Sequence, residues 1–142
     1  MDQDRLTDLW RIWIGRRCSV QRRECDWAVG LHGGGSFTLS APWRVVHNGR
    51  IALADTDDGQ RFGLDAPIDG EIWANRLLDG RSITSIVVDL ETADLTIYFD
   101  GNVRIDVFNN SSGYEGWQAH FLTDGDSISI IAMGGGEVVL YP

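Results

Sequence analysis

"DLTIYFDGNVRIDV", residues 94–107, is the stretch whose reading decides the fold. Leu95, Ile97 and Phe99 alternate with other residues, a short Asp-Gly-Asn turn follows, and Ile105 and Val107 resume the alternation. A period of two on either side of a Gly/Asn turn marks a hairpin with one wet and one buried face. "DWAVGLHGGGSFTL", residues 26–39, repeats the plan, with Trp27, Val29 and Leu31 before the glycines and Phe37 and Leu39 after them. Each of these five apolar positions precedes its counterpart by the same 68 residues (27 to 95, 39 to 107), and Gly33 precedes Gly101 by the same step.

Outward from the hairpins, each half opens on a helical pattern. "LTDLWRIWIGRR", residues 6–17, places Leu6, Leu9, Trp10 and Trp13 on one helix face, with Gly15 to end it. "DGEIWANRLLDGRS", residues 69–82, offers Asp69 as N-cap, Ile72, Trp73 and Leu77 as the apolar positions, and Gly80 as the stop. Further strands are expected at 16–23, 42–47, 50–54, 83–90, 117–122, 127–132 and 136–141, with turns at "HNGR", "FDGN" and "TDGD". The expected fold is α+β: one domain of mainly antiparallel sheet, in two pseudo-repeated helix-plus-meander halves of about 1–66 and 67–142, with two covering helices.

The chain has 142 residues and a net charge of −9, and all 12 of its basic residues are arginine. Residues 1–25 carry six arginines against four acids, whereas residues 26–142 carry six against 17. That balance argues against binding nucleic acid through its phosphates and against anionic membranes, and it favours a basic protein partner. No apolar run approaches the ~20 residues needed to cross a bilayer, and the start lacks a secretory pattern, so a cytoplasmic location is expected. Cys18 and Cys25, spaced unlike any redox or zinc motif, are expected as free thiols.

Chemistry concentrates in "SSGYEGWQAHF", residues 111–121. Tyr114, Glu115, Trp117 and His120 are the candidate binding residues there. The alternation that buries Trp117 turns Ala119 and Phe121 inward and sets His120 on the opposite face, and burial of the indole explains the tryptophan by itself. Of the three histidines, His32 and His47 sit beside turns, and His120 is the one placed to face a cleft. Asp55, Asp57 and Asp58 in "DTDDG" begin like a calcium loop, but glycine comes one position early and position 12 is Ala66, so a solvated hairpin loop is expected. "HGGGS" and "MGGGE" lead into strands and not into helices, which makes them turns and not phosphate cradles. No nucleophile elbow, metal-ligand spacing or cofactor motif is present, so neither metal nor cofactor is expected.

"LTIYFDGNVRIDV" followed by "YEGWQ" resembles a family of small bacterial proteins of unknown function, common in actinobacteria. The shared pattern falls on Gly80, Ile83, Ile86, Leu95, Ile97, Phe99, Gly101, Ile105, Val107, Glu115 and Trp117. Small acidic α+β proteins of this type are often immunity proteins. The resemblance therefore implies a non-catalytic interaction module that neutralises a basic partner by binding it. The alternative is a small-ligand-binding protein or enzyme with a cleft near Tyr114, Glu115, Trp117 and His120.

Overall fold

The computed structural model describes residues 1–123 and 125–142. It consists of two antiparallel sheets and two short helices. One sheet has six strands. Its β1 (Cys18–Arg22), β2 (Trp27–Leu31) and β3 (Ser36–Leu39) are followed across the sheet by β9 (Trp117–Thr123), β10 (Asp126–Ala132) and β11 (Val138–Tyr141). The other has five, in the order β5 (Arg50–Ala54), β4 (Trp43–His47), β8 (Val103–Val107), β7 (Leu95–Phe99) and β6 (Ile83–Val88). The six-stranded sheet thus takes three consecutive strands from each half of the chain, and the five-stranded sheet takes three from the second half and a hairpin from the first.

Both expected hairpins are antiparallel, Val29 opposite Phe37 and Ile97 opposite Ile105. Their alternation is what fills the core. Val29, Phe37 and Leu39 from one sheet and Leu95, Ile97, Ile105 and Val107 from the other belong to a single buried cluster. Asn48 (φ 51°) and Gly49 (φ 76°) form the two-residue turn of "HNGR", whose left-handed backbone suits the twist of the strands it joins. Of the "TDGD" turn, Asp124 lies outside the described residues.

The helices close the gaps between sheet edges. α1 (Gln3–Trp10) is shorter than the sequence pattern suggests and continues as a 3₁₀ turn, Arg11–Trp13; its N-cap is Asp2, whose carboxylate accepts from the Arg5 amide. Trp10 and Trp13 enter the core together. Trp13 stacks on Phe121 at 4.1 Å, and Trp10 meets Phe37, Phe121 and Trp117. The Gln3 amide reaches Val88 O of β6, and the chain's N-terminal amine reaches Val138 O of β11. α2 (Gly70–Leu78) is capped by Asp69 and lies along β1, touching β5 and β4. Its Asn75 both accepts from Val20 N (2.7 Å) and donates to Val20 O (2.8 Å), while Glu71 accepts from Arg22 N. These side chains occupy the backbone groups that a further strand would use, and so cover the β1 edge.

β3 runs into β4, and β8 into β9, by crossing from one sheet to the other. Trp43 and Trp117 each open the strand after a crossing, and both are 1% exposed. Among the described residues no helix is long and apolar enough to cross a membrane.

Candidate functional site

The segment between β8 and β9, residues 108–116, has no regular structure and is nevertheless tightly held. Asn109 is its hub. Its backbone N–H donates to Asp94 Oδ1 (2.8 Å), and its side-chain amide donates to Thr92 O (2.9 Å) and Met133 O (3.0 Å). Ser111 Oγ accepts from the amides of Gly113 and Tyr114, and Ser111 O accepts from Gly135 N. The segment is therefore clamped between the β6–β7 turn and the β10–β11 turn. Gly134 allows this closeness, because a Cβ there would overlap the Gly113 backbone.

Tyr114 stands out of this pinned segment at 84% exposure. It lines a cleft of about 700 Å³ with Glu115, Gln118, Asn110 and the wall Ser40–Pro42. Glu115 is exposed, and its carboxylate accepts a 2.6 Å hydrogen bond from the Gln118 amide. The neighbouring turns add Asp89, Glu91, Asp94 and Glu137, and no basic residue follows Arg104 in the chain. Negative charge predominates at this end of the molecule, where Arg44, stacked over Phe108 at 5.1 Å, is the neighbouring cation.

Trp117 and His120 do not join that cleft. Trp117 lies in the core, with its indole N–H donating to Ala93 O at 2.7 Å, and it holds the β6–β7 turn from beneath. The indole therefore sits in the core beside Trp10 of α1. The expected cleft shared by Tyr114, Glu115, Trp117 and His120 is thus not formed, since neither Trp117 nor His120 lines it. β9 carries the His120 ring onto the outer face of the six-stranded sheet, with Nδ1 3.0 Å from Ser129 Oγ and Nε2 3.3 Å from Thr38 Oγ1. Partial burial lowers its pKa, and Arg23, which donates to the same Thr38 hydroxyl, lowers it further. The neutral imidazole is favoured.

Asp55, Asp57 and Asp58 do not form a solvated hairpin loop. Residues Asp55–Asp57 make a 3₁₀ turn, and all three carboxylates are engaged. Asp57 accepts from Ala54 N, Asp55 from Thr56 N, and Asp58 from Gly70 N and from Arg22 Nε (2.8 Å) and Nη2 (3.0 Å). Arg22 also reaches Asp69 and stacks over Trp27 at 5.5 Å. The Arg22 hydrogen bonds hold the Asp58 carboxyl below the usual range, whereas burial pushes the Asp55 carboxyl up. Asp55 and Asp58 line a second cleft of about 490 Å³ with Arg22, Cys25 and Trp27, across the Ser40–Pro42 wall from the first. Cys18 is buried, its thiol pushed up to about 12 by burial, while Cys25 is exposed; both are free.

Sequence reasoning missed Asn109, Ser111 and Gly134, whose role is to fix backbone over long sequence distances. It also missed Asp106, which is only 8% exposed and lies between Arg44 and Arg104. The one local signal was the alternation of "VRIDV", which puts an arginine and an aspartate on one strand face. Among the described residues no group of three His, Cys, Asp or Glu side chains is placed to hold a metal ion. No protein-family model matches the chain, and neither the curated proteins nor the solved structures include a significant match to it.

Proposed function

We propose that the chain is a non-catalytic interaction module, of the immunity type, that acts in the cytoplasm and neutralises a basic partner by binding it. The observation that carries this reading is Tyr114, an aromatic side chain 84% exposed on a segment fixed by its own hydrogen bonds. An exposed tyrosine on a rigid support offers a large amphipathic contact at little entropic cost, as binding hot spots do. Glu115 beside it, and the carboxylates of the adjoining turns, would steer a positively charged partner to that end and exclude acidic ones. The separation of Tyr114 and Glu115 from His120 weighs against an enzyme built on all of them.

The two halves, about 1–66 and 67–142, are read as copies of one unit that exchanged hairpins. The strand orders β1-β2-β3-β9-β10-β11 and β6-β7-β8-β4-β5 favour this reading over their first five strands, with β11 as an addition to one sheet alone. Superposing residues 26–39 on 94–107 tests it, and misalignment of the 68-residue register refutes it.

The binding reading is tested by capture from a lysate of the native host with the full chain as bait. A basic protein should be retained at low salt and released as salt rises, and Tyr114→Ala or Glu115→Gln should lose it. Tyr114 is too exposed for its replacement to unfold the chain. Equal retention by parent and both variants, or capture of acidic proteins only, would refute the proposal.

A further inference from the structure

The outer face of the five-stranded sheet carries a different chemistry from the acidic end. Arg44 and Asp106 are directly opposite each other on β4 and β8, and Arg104 lies two residues from Asp106 on the same face. Arg44 Nε donates to Asp106 Oδ2 at 2.9 Å, and Arg104 Nε donates to Oδ1 at 3.0 Å. Each oxygen of the buried carboxylate therefore orients one guanidinium. Among the described residues, the Nη groups of both arginines make no hydrogen bond within the chain. Two arginines against one aspartate leave a positive balance on this face of an acidic protein.

Beside Arg104 the sheet is irregular. Tyr98 is opposite Arg104 on β7, and Ser85 is opposite Tyr98 on β6, where the register shifts between Ile83 and Ser85. That bulge admits Thr84 as an extra residue and brings two consecutive hydroxyl side chains to one hollow, a re-aiming that bulges often perform at sites. The hollow, of about 160 Å³, is lined by Thr84, Ser85, Tyr98, Asn102 and Arg104 among others, and by no carboxylate. Among the described residues the hydroxyls of Thr84, Ser85 and Tyr98 are unpaired within the chain. One water needs only about 10–15 Å³ of such space, so the hollow has room for a tetrahedral anion.

The geometry points to an oxyanion site: this hollow binds a phosphate group, with Arg104 Nη supplying the charge and the hydroxyls of Thr84, Ser85 and Tyr98 donating to its oxygens. Charge-assisted hydrogen bonds from a guanidinium are the strong kind, and Asp106 fixes the fork in advance. The overall negative charge does not forbid it. The acidic β6–β7 turn is at the other end of β7, four residues or ~14 Å from Tyr98 at ~3.4 Å per residue. That exceeds the Debye length of ~8 Å at physiological salt. Asp106, the acid nearest Arg104, is shared with Arg44, and Asp100 turns its carboxylate to the Ser82 amide.

Titration of the isotope-labelled full chain with inorganic phosphate, at constant ionic strength, tests the site by NMR. Saturable shifts should appear at Arg104 Nε–H and at the amides of Thr84, Ser85 and Phe99, while Arg11 and Arg50 stay still. Thr84→Val with Ser85→Ala leaves every charge in place and should weaken binding about tenfold or more, the effect of losing hydrogen bonds to an ionised group. Arg104→Gln should abolish binding. A parallel titration with O-phosphoserine separates the sources: tighter binding than inorganic phosphate identifies a phosphorylated side chain as the ligand, and equal binding identifies the free ion. Unsaturable shifts, equal shifts at all arginines, or full binding by the Thr84/Ser85 double variant would overturn the proposal. Because this site is distinct from the Tyr114 cleft, either assignment can fail while the other stands.

Discussion

Replacing Trp117 by alanine separates a packing role from a binding role for the stretch 111–121. The indole is 1% exposed and lies within 6.4 Å of the Trp10 ring. Removing a buried large aromatic costs about 3–5 kcal/mol, through lost burial and the cavity left behind. The indole N–H also satisfies the Ala93 carbonyl at 2.7 Å, in a turn where Ala93 itself has a left-handed backbone (φ 63°). Stranding that carbonyl adds about 1–3 kcal/mol unless water reaches it. The expected loss is therefore at the top of the aromatic range, about 5 kcal/mol, against a total stability of about 5–15 kcal/mol for a domain. Trp117→Phe keeps a ring and loses mainly the hydrogen bond, so it should cost about 1–3 kcal/mol. Urea denaturation followed by far-UV circular dichroism measures both, because the other five of the six tryptophans would confuse a fluorescence signal. A Trp117→Ala variant within about 1 kcal/mol of the parent, the ordinary scale of a single substitution, would refute the reasoning. If that variant also failed to hold a partner, the tryptophan would be a contact residue and not a core one.

Asn75→Ala strips the cover from Val20 at the β1 edge; a loss of about 1–3 kcal/mol and a rise in self-association by light scattering are expected, and an unchanged monomer of parental stability would count against the edge role. A thiol reagent should modify Cys25 quickly and Cys18 only on unfolding, since Cys18 is buried with its thiol pushed up to about 12; two fast thiols in the native protein would contradict the fold near β1. For His120 the folded pKa lies below the unfolded value, so the unfolded state binds the extra proton first. Its contribution is full above pH ~6.5 and is lost as pH falls from there through the folded pKa. His120→Gln should flatten that part of the stability–pH curve, and an identical curve would remove His120 as its cause. Gly134→Ala should destabilise by about 1–3 kcal/mol through overlap with Gly113, and a neutral result would show that the clamp on residues 108–116 is loose.

Much of the fold was legible in the sequence because its signals are local. The alternations of 26–39 and 94–107, the Asp69 cap and the Asn-Gly turn each act over a few residues, and each is found where the pattern places it. The parity argument also held: Trp117, Ala119 and Phe121 are buried, and Gln118 and His120 are on the other face. The first helix was overestimated because Trp10 and Trp13 sit at helical spacing, although the chain tightens to a 3₁₀ turn to drive both rings into one core.

Which strands meet was not written in any segment. Both crossings follow a hairpin, after Leu39 of β3 and Val107 of β8, and strand propensity does not say whether the next strand stays in its sheet or joins the other. That choice is made by the core, where each sheet draws strands from both halves of the chain to complete its buried face. The sites depend on the same choice. Arg44 meets Asp106 across 62 residues of chain, and Asn109 holds Met133 across 24, because the crossings between sheets bring those strands and turns side by side. Composition and alternation determined an acidic, two-faced antiparallel protein, since charge and period two belong to each residue and its neighbours. The placement of Tyr114 in a cleft, His120 on an open sheet and Arg104 above a hollow was decided only by tertiary packing, because it depends on which distant backbones come into contact.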